Sequence, residues 1–329
     1  MPVDVCNRFR SNTLKVLITG GAGFIGSNLC KILLASGQFT DIRVLDDLST
    51  GSKTNLDGLD VAFTEGSFLD MSTLTEVATG VDSIVHLGAI PSVPRSIANP
   101  RASHEANATG TLNILEAARQ TGVDHVIVAS SSSVYGSNPA LPKNEDDWTR
   151  PLSPYAVSKL ATEGYANAYQ ASYGLKTLAF RFFNVYGPGQ AAGHAYAAVV
   201  PKFLDAVSNG TPLEVHGDGT QSRDFTYVET VCQVIKDAVL RKVSSPAPVN
   251  LAFGTNTPLL ELIEELEALV GRPLEREFGD PRVGDVKASQ ADGIRIKEMF
   301  PDVKPVGLHE GLRKTSDWFG LTTTGESKA

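Results

Sequence analysis

The chain has 329 residues, 42% of them apolar and 20% charged, with 30 glycines and a formal net charge of −8. A mild acidic excess without any basic cluster excludes nucleic acid as a partner, since neutralising phosphates takes grouped Lys and Arg. No apolar run approaches the roughly 20 residues that span a bilayer, the first thirteen residues carry no signal-peptide core, and Cys6, Cys30 and Cys232 are too far apart for a metal site or a disulfide framework; a cytoplasmic protein with a small-molecule ligand, no membrane partner and no metal is expected.

Apolar runs at 14–20, 42–47, 83–89, 125–131 and 177–183 read as buried strands, and the amphipathic stretches between them, at 24–36, 72–79, 102–121 and 154–173, as helices. Such alternation predicts an α/β fold, a Rossmann-type doubly wound parallel sheet with helices on both faces. Past residue 184 the pattern loosens among prolines and glycines until "LLELIEELEALVG" (259–271), an amphipathic helix ended by Gly271. The expected division is a dinucleotide-binding domain over 1–183, joined by a later strand near 249–252, and a smaller C-terminal α/β lobe over 184–329 that covers the strand ends.

The first strand runs directly into "GGAGFIG", with glycines at 20, 23 and 26. A lone glycine pattern is an ordinary turn, but this one joins a strand to a helix, and the next strand ends at Asp46, twenty residues after Gly26. Gly20 and Gly23 allow a tight turn and close approach to a pyrophosphate, Gly26 allows helix to pack on strand, and the helix N-terminus faces the anion. Asp46 accepts ribose hydroxyls in this scheme and repels a 2′-phosphate, which favours NAD over NADP.

In "SPYAVSK" (153–159) Ser153 suits an N-cap and Pro154 the first helical position, so Tyr155 and Lys159 share one face, a turn apart. Any isolated YxxxK is a plain amphipathic helix face. Here it follows the dinucleotide turn and "SSSSVYG" (130–136), a hydroxyl cluster at the C-terminal end of a buried strand, where ligands of open α/β sheets sit. A phenol with a reference pKa of about 10 is a poor base at neutral pH; the adjacent ammonium is expected to lower it so that Tyr155 can take a hydroxyl proton.

These segments, with "HLGA" (86–89), "SVPRSIANP" (92–100), "NATGTLNILEA" from Asn107, "RFFNVYGPGQ" (181–190), "YAAVVPKF" (196–203), "GDGTQSRDFTYV" (217–228) and "RVGDVKASQAD" (282–292), run in one order along nearly the whole chain. The sequence resembles the extended short-chain dehydrogenase/reductase family, in particular its nucleotide-sugar 4-epimerases of the UDP-galactose and UDP-N-acetylglucosamine type. The resemblance implies a catalytic triad of Ser131, Tyr155 and Lys159, with Ser132 and Ser133 as helpers at the substrate. It implies NAD held by Gly20, Gly23, Phe24, Ile25, Gly26, Asp46, Phe68, Leu87 and Asn107 together with Tyr155 and Lys159. For a UDP-sugar it implies Asn184, Arg223 and Arg282 at the diphosphate, Asp285 at the uridine ribose, Val215 and His216 at the base, and Val200 and Ser289 along the substrate. A homodimer formed through the helices near 102–121 and 154–173 is implied as well. "GSFLD" (66–70) departs from the family, Ser67 standing where an Asp usually meets the adenine amine.

Dehydratases on this scaffold carry carboxylates next to the triad hydroxyl, where this chain has Ser132 and Ser133, and a serine cannot act as a carboxylate acid or base at neutral pH. Glucuronate 4-epimerases typically have a threonine after "RFF" and an arginine in the next loop. Here Asn184 and "GQAAGHAYAAV" follow, so a neutral hexose is favoured, with glucuronate the alternative if His194 substitutes for that arginine. The position that in the family separates glucose from its 2-acetamido relative is Ser289, small enough to admit the N-acetyl group. The expected activity is therefore interconversion of UDP-N-acetylglucosamine and UDP-N-acetylgalactosamine, with UDP-glucose and UDP-galactose also admitted. A non-catalytic NAD sensor is the reading from another class, and such proteins usually lose the Tyr or Lys kept here.

Overall fold

The computed structural model describes residues 13–193, 197–281 and 287–321. In chain order it runs β1 (Leu14–Thr19), α1 (Phe24–Ser36), β2 (Phe39–Asp46), β3 (Ala62–Glu65), α2 (Met71–Ala78), β4 (Ser83–His86), α3 (Val93–Ala98), α4 (Pro100–His104), α5 (Gly110–Thr121), β5 (His125–Ser131), α6 (Pro154–Tyr173) and β6 (Lys176–Phe182). The remainder comprises β7 (Asn184–Tyr186), α7 (Val199–Asn209), β8 (Leu213–His216), β9 (Ser222–Arg223), β10 (Phe225–Tyr227), α8 (Val228–Arg241), β11 (Val249–Leu251), β12 (Thr257–Pro258), α9 (Leu259–Val270), β13 (Arg276–Gly279), β14 (Ala288–Ser289), α10 (Ile294–Met299) and α11 (Leu308–Trp318).

Seven strands form one sheet in the order β11-β6-β5-β4-β1-β2-β3, every pair parallel. A sheet covered on both faces needs apolar side chains on both, and β1 shows how: Val16 and Ile18 belong to one core, Leu17 to the other, and all three are fully buried. On the first face α1 packs against α8; on the second lie α2, α5 and α6. Fully burying one Val, Leu or Ile contributes about 1.5–3 kcal/mol, so the continuous apolar runs of the strands hold the sheet together. The chain reverses its direction of travel across the sheet between β1 and β4, the switch point at which an open α/β sheet leaves a crevice.

The sequence elements fall close to their expected places, α1 and α6 without a shift. Two features differ. The helix expected over 102–121 is α4 and α5 joined by a π-helical turn at Glu105–Thr109, and α8 lies on α1, so it returns to the first domain from beyond residue 184 together with β11, the strand expected near 249–252, which pairs with β6. The remaining strands make small pairs, β7 with β10, β8 with β13, and β12-β9-β14, beside the sheet. Among the described residues no helix is long and apolar enough to cross a membrane.

Candidate active site

The C-terminal ends of β1, β2, β4, β5 and β6 open into a cleft of about 1170 Å³, closed on its far side by the segments 184–191 and 197–200, Arg223, Phe225 and Trp318. At its floor Gly20 has φ 73, and a Cβ there would stand 2.6 Å from the Gly88 nitrogen, so only glycine lets the turn after β1 lie against the turn after β4. A Cβ on Gly26 would overlap the Gly20 carbonyl and come within 2.6 Å of the Gly21 Cα. Gly23 caps α1 without a side-chain hydrogen bond, so the first N–H groups of that helix are open to an anion.

Asp46 ends β2 with its carboxylate in the cleft wall, oriented by two backbone donors: Ala22 N–H to Oδ2 and Leu48 N–H to Oδ1, both at 2.9 Å. Burial raises its pKa despite those bonds. Phe68 lies between Gly88 and Gly110, where a Cβ on either would strike its ring, and meets His86 edge-on at 5.2 Å. His86 is itself buried and bonded to the Thr19 hydroxyl at 2.7 Å; burial first, and the Lys159 ammonium second, push its pKa down to about 3. The imidazole is thus neutral, buried behind the wall.

Ser153 caps α6 by accepting the Ala156 N–H at 3.1 Å, and Pro154 fills the first turn, which brings Tyr155 and Lys159 to the end of β5. The Tyr155 phenol is hydrogen-bonded with the Ser131 side chain, and Ser131 also accepts the Ser133 N–H at 3.2 Å. Lys159 is 5% exposed and gives one proton to the Ala129 carbonyl at 2.8 Å, its one acceptor among the described residues. Burial lowers its pKa to about 8. The expected lowering of Tyr155 by that ammonium is not what the protein alone produces. Burial raises the phenol, the Ser131 bond offsets part of the rise, and the Lys159 charge turns instead to Ala129.

Gly20, Gly23, Phe24, Ile25, Gly26, Asp46, Phe68, Leu87, Ser131, Tyr155, Lys159, Asn184, Val200 and Arg223 all line the cleft. Asn107 does not. It is buried in the π-helical turn, where its amide accepts the Ile90 N–H at 2.9 Å and donates to the Ile90 carbonyl and the Ser158 hydroxyl, clamping the loop after β4 from behind. Ser132 and Ser133 follow Ser131 in a short helical turn outside the cleft wall, the Ser133 hydroxyl buried and without a partner among the described residues. Val215 is fully buried in the core, and His216 and Ser289 stand away from the cleft wall, Ser289 in register with Arg223. Arg282, Asp285 and His194 lie outside the described residues.

Two groups of residues were not singled out in the sequence. The segment 49–52 with Asn55 lines the cofactor end, and Asn55 donates to the Ala22 carbonyl at 2.8 Å, docking the loop after β2 on the glycine turn. The Ser, Thr and Gly run directly after Asp46 is a signal that could have found it. Asp224 is buried and accepts the Gly254 N–H, the Ala291 N–H and the Thr255 hydroxyl, while its carbonyl accepts both the backbone and the side-chain N–H of Asn184.

The cleft fits a dinucleotide on its own geometry. A turn that no Cβ can enter faces open helix N–H groups, a fixed carboxylate stands at the end of the second strand, and a buried ammonium keeps two donors for a ligand. Over 316 residues the sequence is 37% identical to the UDP-glucose 4-epimerase of Mycolicibacterium smegmatis, covering 93% of this chain and 98% of that protein. The fold superposes with a TM-score of 0.88 on the UDP-N-acetylglucosamine 4-epimerase of Methanobrevibacter ruminantium, solved in complex with UDP-N-acetylmuramic acid, at 33% identity over 94% of this chain and 98% of that one. It superposes at 0.83 on the Thermus thermophilus UDP-glucose 4-epimerase solved with NAD, at 35% identity over 93% and 99% of the two chains. The sequence model of the NAD dependent epimerase/dehydratase family matches residues 16–252, and the chain belongs to that family.

Proposed function

We propose that the protein inverts C4 of UDP-sugars, interconverting UDP-N-acetylglucosamine with UDP-N-acetylgalactosamine and also admitting UDP-glucose and UDP-galactose. The observation that carries this reading is the Tyr155 phenol, hydrogen-bonded with Ser131 and one helical turn from a buried Lys159, in the wall of the same cleft as the glycine turn. Tyr155 takes the proton of the sugar 4-hydroxyl, and Ser131 hydrogen-bonds the same oxygen. NAD, when bound, supplies the acceptor for the C4 hydride and its donor on the return. Lys159 keeps its charge below about pH 8; its remaining N–H groups hold the nicotinamide ribose and favour the phenolate. Asn184 and Arg223 hold the diphosphate, and with that end anchored the sugar ring turns over before it is reduced.

Ser132 and Ser133 leave the triad hydroxyl without the neighbouring carboxyl that dehydration needs. Ser289 is buried in register with Arg223 and not in the cleft wall, so the admission of a 2-acetamido group is carried by the resemblance. One observation favours a second reading. Arg95, on α3, lines the cleft and adds a positive charge to it, so UDP-glucuronate is the alternative substrate. A cytoplasmic homodimer is part of the proposal, and α6 exposes Val157, Tyr165 and Tyr173, apolar side chains able to meet a second copy.

The test is to incubate the purified protein separately with UDP-N-acetylglucosamine, UDP-glucose and UDP-glucuronate and to resolve the C4 epimers. Conversion of the N-acetylhexosamine is expected. Conversion of glucuronate alone transfers the assignment to the second reading, and conversion of none of the three defeats both.

A further inference from the structure

Tyr155 and Lys159 are not the last polar residues on their helical stripe. One turn further along α6 comes Glu163, buried at 7% exposure. Its Oε1 accepts the Ser130 hydroxyl at 2.5 Å and the Arg181 Nε–H at 2.9 Å, and its Oε2 accepts a second guanidinium N–H of Arg181 at 2.9 Å. Ser130 and Arg181 are directly paired across β5 and β6 and are 2% and 3% exposed. One carboxylate on the helix therefore grips a matched pair on the two strands beneath it. The Ser130 hydroxyl also lies 3.4 Å from the Lys159 carbonyl, and the next strand position is Ser131 itself.

Stability alone does not explain such a pair. Desolvating two charges costs as much as their attraction returns, and buried ion pairs are often replaceable by apolar residues without loss of stability. What a bidentate fork adds is geometry, because a guanidinium and a carboxylate meet well in one plane and at one offset. Apolar contacts and single hydrogen bonds, such as Lys159 to the Ala129 carbonyl and Thr177 to the Ala166 carbonyl, leave rotation and sliding of α6 on the sheet soft by comparison. The two groups at stake, the Ser131 hydroxyl on the strand and the Tyr155 phenol on the helix, meet only if that offset is right.

We propose that Glu163 is a positioning residue: clamped by Ser130 and Arg181, it sets the register in which α6 presents Tyr155 and Lys159 to Ser131. The proposal rests on the epimerase reading for its kinetic consequence only. Glu163 touches no substrate and lies outside the cleft wall; its effect passes through the helix.

The experiment uses the full-length holoenzyme with Glu163→Leu and Arg181→Met together, which removes both charges at once. Expected are a folded, NAD-bearing protein, a kcat lower on the order of 100-fold, as for a misplacement near 1 Å, and a KM for the UDP-sugar changed less than about threefold. A crystal structure of the double variant should show the Tyr155 and Ser131 hydroxyls out of hydrogen-bond reach. Ser130→Ala, which spares the ion pair, should lower kcat about fivefold at unchanged KM, with only a small drop in thermal midpoint from the lost hydrogen bond, and it stands as the test if the double variant does not fold. A double variant that keeps kcat within threefold, or one whose Tyr155–Ser131 hydrogen bond is intact, overturns the proposal. A Ser130→Ala enzyme with wild-type kcat does the same. If the wild-type protein converts no UDP-sugar, the epimerase reading fails by itself, and the crystal structure still decides the role of Glu163.

Discussion

The two walls of the cleft are built differently. On the cofactor side, successive strand-turn-helix units each deliver a few residues from their own ends: Gly20 and Gly23 from β1 and α1, Asp46 from β2, Ser131 from β5, Tyr155 and Lys159 from α6. On the sugar side no unit is complete by itself. Asn184 is fixed by the carbonyl of Asp224, and the Asp224 carboxylate is satisfied by Gly254, Thr255 and Ala291, so four distant stretches of chain meet at one buried side chain. The first wall is therefore rigid by local backbone geometry, the second by a long-range polar knot. On the proposed function, the chemistry, which demands fixed distances, sits on the first wall and recognition of the sugar nucleotide on the second.

The largest expected effect tests where the chemistry resides. Tyr155→Phe should lower kcat on the order of a thousandfold, the range of a lost acid-base group, with sugar-nucleotide affinity unchanged because the opposite wall is intact. Resolving C4 epimers gives the rate, and calorimetric titration of the substrate gives the affinity. A variant that lost binding and kept turnover would reverse the assignment of the two walls.

Lys159→Met comes next, with effects of opposite sign on activity and stability. The buried ammonium is held at about pH 8 against an ordinary 10.5, so the charged form is disfavoured in the native state. The resulting cost, about 3 kcal/mol, is fully present below pH 8 and fades as pH rises from 8 towards 10.5. The variant should accordingly be inactive when supplied with NAD, yet its nucleotide-free form should melt higher than nucleotide-free wild type at pH 7, and the gap should close above pH 8. A gap constant with pH would mean that the ammonium is not the cause.

How far each wall could be read from the sequence follows from the same contrast. The glycine turn, Asp46 and the Tyr155/Lys159 pair are each local patterns, in which a continuous apolar run ends at a glycine or an aspartate, or a 3.6-residue period begins at a capping serine. Asn107 was found by pattern, but its position behind the wall was not, because helical periodicity does not show that α4 joins α5 through a π-helical turn aimed at Ile90. β9, β12 and β14 are two residues long each and carry no periodicity at all. Asp224 and Glu163 look like surface carboxylates in the sequence; only partners 30 to 67 and 18 to 33 residues away, respectively, make them buried nodes. The boundary drawn at 183 marks where the local pattern ends, and α8 and β11 cross back over it because the sheet edge and the apolar face of α1 were still uncovered.

Asp224→Asn probes the knot. An amide keeps the shape and gives up the charge and one acceptor, so at least one of the Gly254, Thr255 and Ala291 donors loses its partner, at about 1–3 kcal/mol. With Asn184 and Arg223 loosened, KM for the UDP-sugar should rise about tenfold while NAD content and kcat hold. Loss of NAD from this variant would show that the two walls are coupled.

The smallest effect is a gain. In the loop after β3, Ser67 lies in the cleft wall, its hydroxyl accepting the Leu69 N–H at 3.2 Å, where the resemblance places an aspartate at the adenine amine. The site is partly exposed, so one added charged hydrogen bond is worth roughly 1 kcal/mol at most. Ser67→Asp should slow NAD release about threefold and leave kcat unchanged, because the adenine end lies far along the dinucleotide from Tyr155. Equal release rates would mean that the closely fitted glycine turn and Asp46 already fix the cofactor, and that this family position is dispensable in a cleft whose cofactor wall is set by the backbone.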